Sequence, residues 1–211
     1  DSNDAHAHAW VDALAESGVT VPFEEVRRLI GMGGDKLMPQ VSGIEEETEK
    51  GQRIAERRKQ IFLTTYLPQV RALPGTRQLL DKLEAAGLKR VVATSAKADE
   101  LSGLLRAADA SELEESATTS DDADASKPEP DIVEAALERA GVGADGAIMI
   151  GDTPYDIEAA SRAGVKIVAF RSGGWDDRGL AGAIAIYDDP ADLIAQFDSS
   201  PFGRDRHNPS R

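Results

Sequence analysis

The sequence contains no cysteine, which excludes disulfide bonds and thiolate metal sites. It also lacks any apolar run near the roughly 20 residues that a membrane-spanning helix needs. Basic residues are few, because 24 Lys and Arg stand against 38 Asp and Glu, for a net charge of −14. Nucleic acids and anionic membranes attract basic surfaces, so this charge argues against both as partners. We therefore expect a cytoplasmic protein.

The residues that are present predict a folded chain whose first third is helical. With 41% hydrophobic and 29% charged residues among 211, the composition is that of a folded domain with room for a smaller insert. Residues 4–70 contain no strand-like run. The predicted helices cover 4–17, 22–30, 35–41 and 45–66. Ile54 and Ile61 follow helical spacing and predict one buried face for the fourth helix. We interpret the basic residues of that helix as a solvated face that consists of Arg53, Arg57, Arg58 and Lys59.

From residue 73 onward, helical and strand-like segments alternate. The predicted helices cover 76–86, 98–107, 130–140, 154–163 and 191–197. The predicted strands cover 89–93, 115–118, 147–150, 165–170 and 183–186. Strands that alternate with helices of about ten residues predict right-handed βαβ units and a parallel sheet, and therefore the α/β fold class. The polar segment 198–211 is interrupted by Pro and Gly, and we expect it to fray.

Three polar residues stand where predicted strands end or just beyond. Thr94 follows the first strand, Lys127 lies in the loop after the second, and Asp152 follows the third. Parallel sheets bind ligands at the carboxyl ends of their strands, so we expect the three side chains to converge. The stretch around Asp152 also has a simpler interpretation. Thr153 could cap a helix, with Asp152 and Asp156 as ordinary acids near its start.

Four segments together resemble the haloacid dehalogenase superfamily of phosphotransferases, in the branch that carries a helical cap. "VVATSAK" (91–97) resembles the second motif of that family, "SKPEPD" (126–131) the third, and "IGDTPYDIEAASRAG" (150–164) the fourth. "DSNDAHAHAW" (1–10) resembles the segment that follows the first motif. Each segment alone is a weak signal, but all four in order are a specific one.

This resemblance implies a division of the chain into domains. A Rossmann-like core with a doubly wound parallel sheet would cover residues 1–3 and 73–200. An inserted α-helical cap domain would cover residues 4–72. Residues 201–211 would form a flexible tail.

The resemblance also implies a Mg²⁺-dependent phosphatase that acts on a small phosphorylated metabolite through an aspartyl-phosphate. Asp152 would bind Mg²⁺, a hard cation that prefers carboxylate oxygen. Asp156 would orient a metal-bound water or Lys127, and Lys127 would neutralise the nucleophile and the phosphoryl group. The remaining expected phosphate-binding groups are Thr94, Ser95 and Lys97. The protein would be a monomer or a homodimer.

In relatives of this kind, cap residues face the substrate. At those positions the chain has His6, Trp10 and the loop "GMGGDK" (31–36), whose Lys36 is a further candidate. A packed core histidine remains an open alternative, because His6 lies one helical turn from Trp10 on the same face. The glycines could equally be a helix break.

The first motif of the family, a strand that ends in Asp-x-Asp-Gly-Thr, is absent from the sequence. The resemblance places the nucleophile about eight to twelve residues upstream of Asp1, and we expect the natural start to lie there. Asp1 and Asp4 follow no strand and are not substitutes. Two alternatives remain open. One is a sugar-phosphate mutase with the same cap, which Gly151 disfavours because such mutases carry an acidic residue there. The other is a binding protein without a nucleophile.

Overall fold

The computed structural model describes residues 1–119 and 125–204. Its first part, the helical region (residues 3–69), consists of four α-helices. These are α1 (Asn3–Glu16), α2 (Phe23–Arg27), α3 (Gly34–Ser42) and α4 (Glu49–Ile61). Helix α4 begins at Thr48, whose hydroxyl accepts a hydrogen bond from the Gly51 N–H at 3.0 Å. It continues into a π-helical turn (Phe62–Tyr66) and a 3₁₀ turn (Leu67–Gln69).

One continuous apolar cluster holds the helical region together. Its largest fully buried side chains come from α1, α3, α4 and the turn after α4, and they are Leu14, Leu37, Met38, Ile54 and Phe62. Residues at a spacing of three and four lie on one face of a helix, so the periodicity of the sequence produces this core directly.

The second part, the sheet region (residues 76–204), contains a three-stranded parallel sheet. The strands are β1 (Ile148–Gly151), β2 (Lys166–Phe170) and β3 (Ala185–Tyr187), in the order β1-β2-β3. Ile150 pairs with Val168, which in turn pairs with Ala185. The helices are α5 (Thr76–Ala85), α6 (Ala98–Ala107), α7 (Asp131–Ala140), α8 (Pro154–Arg162), α9 (Pro190–Ala195) and α10 (Pro201–Arg204).

Helices cover both faces of this sheet. Val168 and Phe170 of β2 pack with residues of α5 and α9, whereas Ile167 packs with residues of α7 and α8. Successive strand residues point to opposite faces, so β2 contributes to both layers. The α/β fold class is therefore confirmed.

Two predicted strands, 89–93 and 115–118, are wrong in extent. The structure has only a single parallel bridge there, between Ala93 and Thr118. The Thr118 N–H donates to the Val92 carbonyl at 2.8 Å, and the Thr94 N–H donates to the Thr118 carbonyl at 3.0 Å. Residues Ser111–Ser116 form a 3₁₀ helix instead, which leaves too few extended residues for a ladder.

Other boundaries also differ from prediction. The segment predicted as a helix over 22–30 is helical only over Phe23–Arg27, because Ile30 turns back and bridges Met32. Residues 201–204 were predicted as the start of a flexible tail, but they form α10. Phe202 of this helix stacks on Phe197 with 6.4 Å between ring centroids. Residues 205–211 of that predicted tail lie outside the described residues. The division into a core and a cap at residues 4 and 72 stays a prediction.

No helix in the described ranges is both long enough and apolar enough to cross a bilayer.

Candidate active site

A cavity of about 660 Å³ lies between the helical region and the loops of the sheet region. Its wall on the sheet side comes from the loops after the Ala93–Thr118 bridge and after β1, and from the loop before α7. Its wall on the helical side comes from α1, from the loop before α3 and from α4. The predicted site residues in its lining are His6, Trp10, Thr94, Ser95, Lys97, Lys127, Asp152 and Asp156.

Glycines let the helical region approach the sheet region closely at this cavity. A side chain at Gly31, whose φ is +117°, would lie within 2.6 Å of the Thr153 hydroxyl. A side chain at Gly33 would overlap Ser126. The "GMGG" stretch is therefore more than a break between helices, because it seats one wall of the cavity on the other.

Asp156 organises the loop after β1. Its Oδ2 accepts hydrogen bonds from the Thr153 hydroxyl at 2.7 Å, from the Thr153 N–H at 3.1 Å and from the Asp152 N–H at 3.2 Å. The Thr153 hydroxyl accepts from the Asp156 N–H in return, which completes a capping box at the start of α8. The helix cap of the simpler interpretation is therefore present, but Asp156 is buried and is not an ordinary acid at a helix start.

The other oxygen of Asp156 holds the lysine. Its Oδ1 lies 2.8 Å from Lys127 Nζ, and both side chains are less than 10% exposed. Lys127 also donates to the Ala93 carbonyl at 3.4 Å. Burial raises the pKa of Asp156, but the ion pair with Lys127 and the bonds from Thr153 outweigh it and hold that pKa below its usual value. Both oxygens of Asp156 are engaged by the protein, so this residue positions its neighbours.

Asp152 is the carboxylate that remains available. Asn3 Nδ2 donates to its Oδ2 at 3.0 Å. Burial, followed by the charge of Asp156, raises the pKa of Asp152 to about 6. A carboxylate with a raised pKa lacks a sufficient positive partner, and a bound cation would supply one.

The donor set around Asp152 suits a cation that keeps its own water. Within residues 1–119 and 125–204, no three His, Asp or Glu side chains converge as a complete ligand set. Mg²⁺ commonly binds through one or two carboxylates, substrate phosphate and several waters. Asp152 fits that pattern, with one carboxylate at the edge of an open cavity.

Thr94 and Ser95 present polar groups to the same cavity. The Thr94 hydroxyl accepts a hydrogen bond from the Ala96 N–H at 3.1 Å, which fixes the turn after the short bridge. The Ser95 hydroxyl is buried and has no hydrogen-bond partner among the described residues. A buried hydroxyl without a partner is costly, and a phosphate oxygen would satisfy it.

The two other predicted lysines lie farther from the buried polar groups. Lys97 lines the cavity, but its side chain is 55% exposed and its Nζ lies 3.7 Å from Glu46. Lys36 is not among the lining residues of the cavity, and its Nζ lies 3.6 Å from Glu129. The structure therefore does not bring Lys36 together with the other predicted residues.

The helical wall contains buried polar residues at the cavity that the sequence interpretation missed. Arg58 was assigned to a solvated face, and this assignment is wrong, because its side chain is only 14% exposed and lines the cavity. It forms an ion pair with Glu100, which is 1% exposed. The spacing of four residues from Ile54 places Arg58 on the buried face of α4, and this signal could have identified it. Asn3 was likewise missed.

His6 and Trp10 surround this arginine. The His6 ring stacks on Phe62 with 4.1 Å between centroids. The Trp10 ring centroid lies 5.5 Å from the Arg58 guanidinium carbon. The His6 ring packs on Phe62 and also lies in the cavity lining, and a contact of this ring with substrate stays a prediction.

Comparisons with known proteins agree with this geometry. A family model described as haloacid dehalogenase-like hydrolase matches residues 1–170. A phosphoglycolate phosphatase from Rhodospirillum rubrum is 31% identical over 191 residues, which cover 85% of this chain and 78% of that protein. A crystal structure of a hydrolase from Pseudomonas syringae superimposes with a TM-score of 0.87 at 32% identity, and covers 94% of this chain and 93% of its own.

A β-phosphoglucomutase from Clostridium difficile shares the fold, with a TM-score of 0.82 at 18% identity over 96% of this chain and 91% of its own. The resemblance noted in the sequence is therefore confirmed, and so is the expected enzyme class, a phosphoric monoester hydrolase.

Proposed function

We propose that this chain hydrolyses a small phosphorylated metabolite with the help of Mg²⁺. It belongs to the haloacid dehalogenase-like hydrolase family. The observation that carries this proposal is the convergence of Ser95, Lys127 and Asp152 on one cavity, from three loops of the sheet region. An anion-binding hydroxyl, a buried cation and a free carboxylate are the groups that phosphoryl transfer requires.

The residues of the sheet wall bind and orient the phosphate in this proposal. The Thr94 hydroxyl and the Ser95 hydroxyl and N–H contact the phosphate oxygens. Lys127, fixed by Asp156 at 2.8 Å, neutralises charge on the phosphoryl group as the ester bond breaks. Lys97 adds positive charge at the outer edge. Together these groups make a cationic pocket in a protein whose net charge is −14.

Asp152 would hold the magnesium ion. When bound, Mg²⁺ neutralises phosphate charge and offsets the repulsion between Asp152 and an anionic substrate. Asp156 would keep Asp152 in place by accepting a hydrogen bond from the Asp152 N–H.

The attacking group in this proposal is an aspartate of the first family motif, which residues 1–211 do not contain. Its carboxylate forms the bond to phosphorus while the ester P–O bond breaks, and water then hydrolyses the aspartyl-phosphate. Asp4 is no substitute, because its carboxylate is 71% exposed and bonds to Arg27 at 2.5 Å.

A sugar-phosphate mutase is the second candidate, and one contact disfavours it. A Cβ at Gly151 would lie 2.6 Å from the Cβ of Asp156, so this backbone has no room for the acidic side chain expected of such mutases. A cytoplasmic location and a monomeric or homodimeric state stay predictions.

The test is a panel of phosphate monoesters assayed with the full-length protein for release of inorganic phosphate. The panel includes 2-phosphoglycolate and sugar phosphates, each with Mg²⁺ and with a chelator. We expect turnover of at least one ester, lost with the chelator and restored by Mg²⁺. Isomerised sugar phosphate without net release would favour the mutase, and binding without any turnover would contradict both enzymes.

A further inference from the structure

Arg27 of α2 joins two segments that are distant in the sequence. Its Nε donates to Oδ1 of Asp4 in α1 at 2.5 Å, and its Nη2 donates to the Gly173 carbonyl at 2.8 Å. Its side chain is only 16% exposed. A guanidinium presents its N–H donors as a rigid planar fork, so one arginine can fix two acceptors relative to each other. In the described part of the chain, Arg27 is not among the residues that line the cavity, so it influences the site only through the groups that it holds.

The Gly173 carbonyl belongs to a turn that packs against the main chain of Asp152. This 3₁₀ turn (Arg171–Gly173) directly follows β2, which pairs in parallel with β1. A Cβ at Gly173 would lie 2.1 Å from the Asp152 carbonyl oxygen, so the two backbones are in direct contact. The hydrogen bond from Arg27 therefore restrains the turn against which Asp152 rests.

The bond to Asp4 acts on Asp152 from α1. Asn3 and Asp4 are the first two residues of this helix, and Asn3 Nδ2 donates to Oδ2 of Asp152 at 3.0 Å. Among the described residues, Ser2 supplies no side-chain cap to α1, so the first turn depends on other contacts. Asp4 is 71% exposed, and exposed ion pairs add little stability. The effect of its bond to Arg27 is to hold the first turn of α1, and with it Asn3, beside Asp152.

Another hydrogen bond between the two regions provides a contrast. The Tyr155 hydroxyl of α8 donates to the Arg28 carbonyl at 2.8 Å. This bond joins the sheet region to the residue next to Arg27, but it involves neither α1 nor the turn after β2. It therefore holds the two regions together and no more. Arg27 differs because both of its acceptors adjoin contacts of Asp152.

We propose that Arg27 is a positioning residue for Asp152. By holding Asp4 and the Gly173 carbonyl at once, it fixes the Asp152 carboxylate where the magnesium ion binds. Arg27 itself touches neither substrate nor metal. Its effect on the metal rests on the proposed function, whereas the placement of Asp152 does not.

The first test measures this placement in the full-length, metal-free protein without substrate. The Asn3 side-chain amide, assigned by its loss in Asn3→Ala, reports on the bond to Asp152 in ¹H–¹⁵N correlation spectra. Arg27→Met removes both bonds of the guanidinium and keeps much of the apolar stem. We expect it to shift the Asn3 amide resonance towards that of a solvent-exposed amide. The matched control is Arg28→Met, a change at the neighbouring exposed arginine, which should leave the resonance in place.

The second test measures binding of Mg²⁺ alone by titration calorimetry. Arg27→Met should raise the Kd about tenfold, because loss of a group that supports a metal ligand typically costs about 10–100-fold in affinity. Arg28→Met and Tyr155→Phe should keep the wild-type Kd. If Arg27→Met does not fold, Asp4→Ala removes one of the two bonds at an exposed position and should shift the Asn3 resonance and the Kd in the same direction by less. An unchanged Asn3 resonance in the folded variant would overturn the placement of the carboxylate, and an unchanged Kd would overturn its consequence for the metal.

The third test is kinetic and uses the best ester of the panel. In Arg27→Met the half-saturating concentration of Mg²⁺ should rise about tenfold, whereas KM for the ester at saturating Mg²⁺ should stay near the wild-type value. An equal fall of kcat at every Mg²⁺ concentration would show that Arg27 only supports the fold. A wild type that hydrolyses no ester, but whose Mg²⁺ affinity and Asn3 resonance still depend on Arg27, would refute the phosphatase proposal and leave the positioning role standing.

Discussion

The two walls of the cavity hold their polar groups by different means. On the sheet wall, hydrogen bonds with the main chain hold the polar side chains. Asp156 accepts from two main-chain N–H groups, and Lys127 donates to the Ala93 carbonyl as well as to Asp156. On the helical wall, Arg58 is held by side chains alone, through Glu100, His6 and two aromatic rings.

The way in which each wall holds its polar groups predicts how substitutions there should act. The helical region has one continuous apolar cluster, whereas the sheet region divides its core into three smaller ones. Groups fixed by the backbone stay in place when one side chain changes, so most changes on the sheet wall should alter chemistry more than shape. Groups fixed only by other side chains should shift together when one of them changes.

Lys127→Ala should give the largest effect and is the exception on the sheet wall. It removes the cation that we propose to neutralise the phosphoryl group, and it leaves Asp156 buried without its partner. We expect turnover to fall by orders of magnitude, with a loss of about 3–5 kcal/mol in the free energy of unfolding. Steady-state kinetics and denaturant unfolding measure the two effects. Lys97→Ala is the comparison, and its effect on both should be smaller because that side chain is half exposed. A greater loss of turnover in Lys97→Ala would mean that the roles of the two lysines are reversed.

Asp152→Asn should separate chemistry from stability. We expect a large loss of turnover and of activation by Mg²⁺, because a ligand charge is lost. The metal-free fold should gain stability. A carboxyl whose pKa is about 6 in the folded protein and 3.8 unfolded destabilises the fold progressively as pH rises through that interval.

Melting temperatures without metal check this expectation. The Asn variant should melt above the wild type at alkaline pH, and the difference should disappear towards pH values below 3.8. Asp145→Asn, a change at an exposed acid of the 3₁₀ turn Ala144–Gly146, is the matched control. Retained Mg²⁺ activation in Asp152→Asn would show that this residue is only an acid at a helix start.

The two walls also differ in how well the sequence alone predicts them. Asp152 follows an apolar run that forms β1, and the carboxyl edge of a parallel sheet is where such a residue is expected, so this part of the sheet wall could be predicted. Thr94 also lines the cavity as expected, but it follows only the isolated Ala93–Thr118 bridge. Helix α6 was predicted at its observed bounds, Ala98–Ala107.

Arg58 was overlooked because it lies among other basic residues, and its partner Glu100 is 42 positions away and resembles an ordinary first-turn acid. Its spacing of four residues from Ile54 was the one signal in the sequence that indicated burial. The strand over 89–93 was overestimated because Val91 and Val92 favour extension, whereas the length of a ladder depends on the partner. The partner segment 115–118 has one β-branched residue, Thr118, and its first two residues belong to a 3₁₀ helix.

Thr153→Ala should give a moderate effect on the sheet wall. The hydroxyl caps α8 and donates to Asp156, and loss of such a cap typically costs about 1 kcal/mol. Denaturant unfolding should show this loss with an unchanged slope. Thr153→Ser keeps the hydroxyl and should recover most of it. Equal losses in both variants would mean that the methyl group, and not the cap, is what matters.

His6→Gln should give the smallest effect, and it concerns the helical wall. Burial and Arg58 keep the folded-state pKa of His6 well below 6.5, whereas the unfolded chain binds a proton near that value. The unfolded state therefore takes up more protons as pH falls below 6.5, and the fold loses stability over that range.

Gln cannot titrate, so its variant should lose less stability between neutral and mildly acidic pH. Arg58 and Glu100 lie near residue 6 in both the wild type and the Gln variant, so the two proteins differ only in the imidazole ring. Unfolding free energies over that pH range measure the slope, and His8→Gln in the same helix is the control. An identical slope for wild type and His6→Gln would show that the ring takes up its proton equally in the folded and unfolded states, and that Arg58 does not hold it neutral.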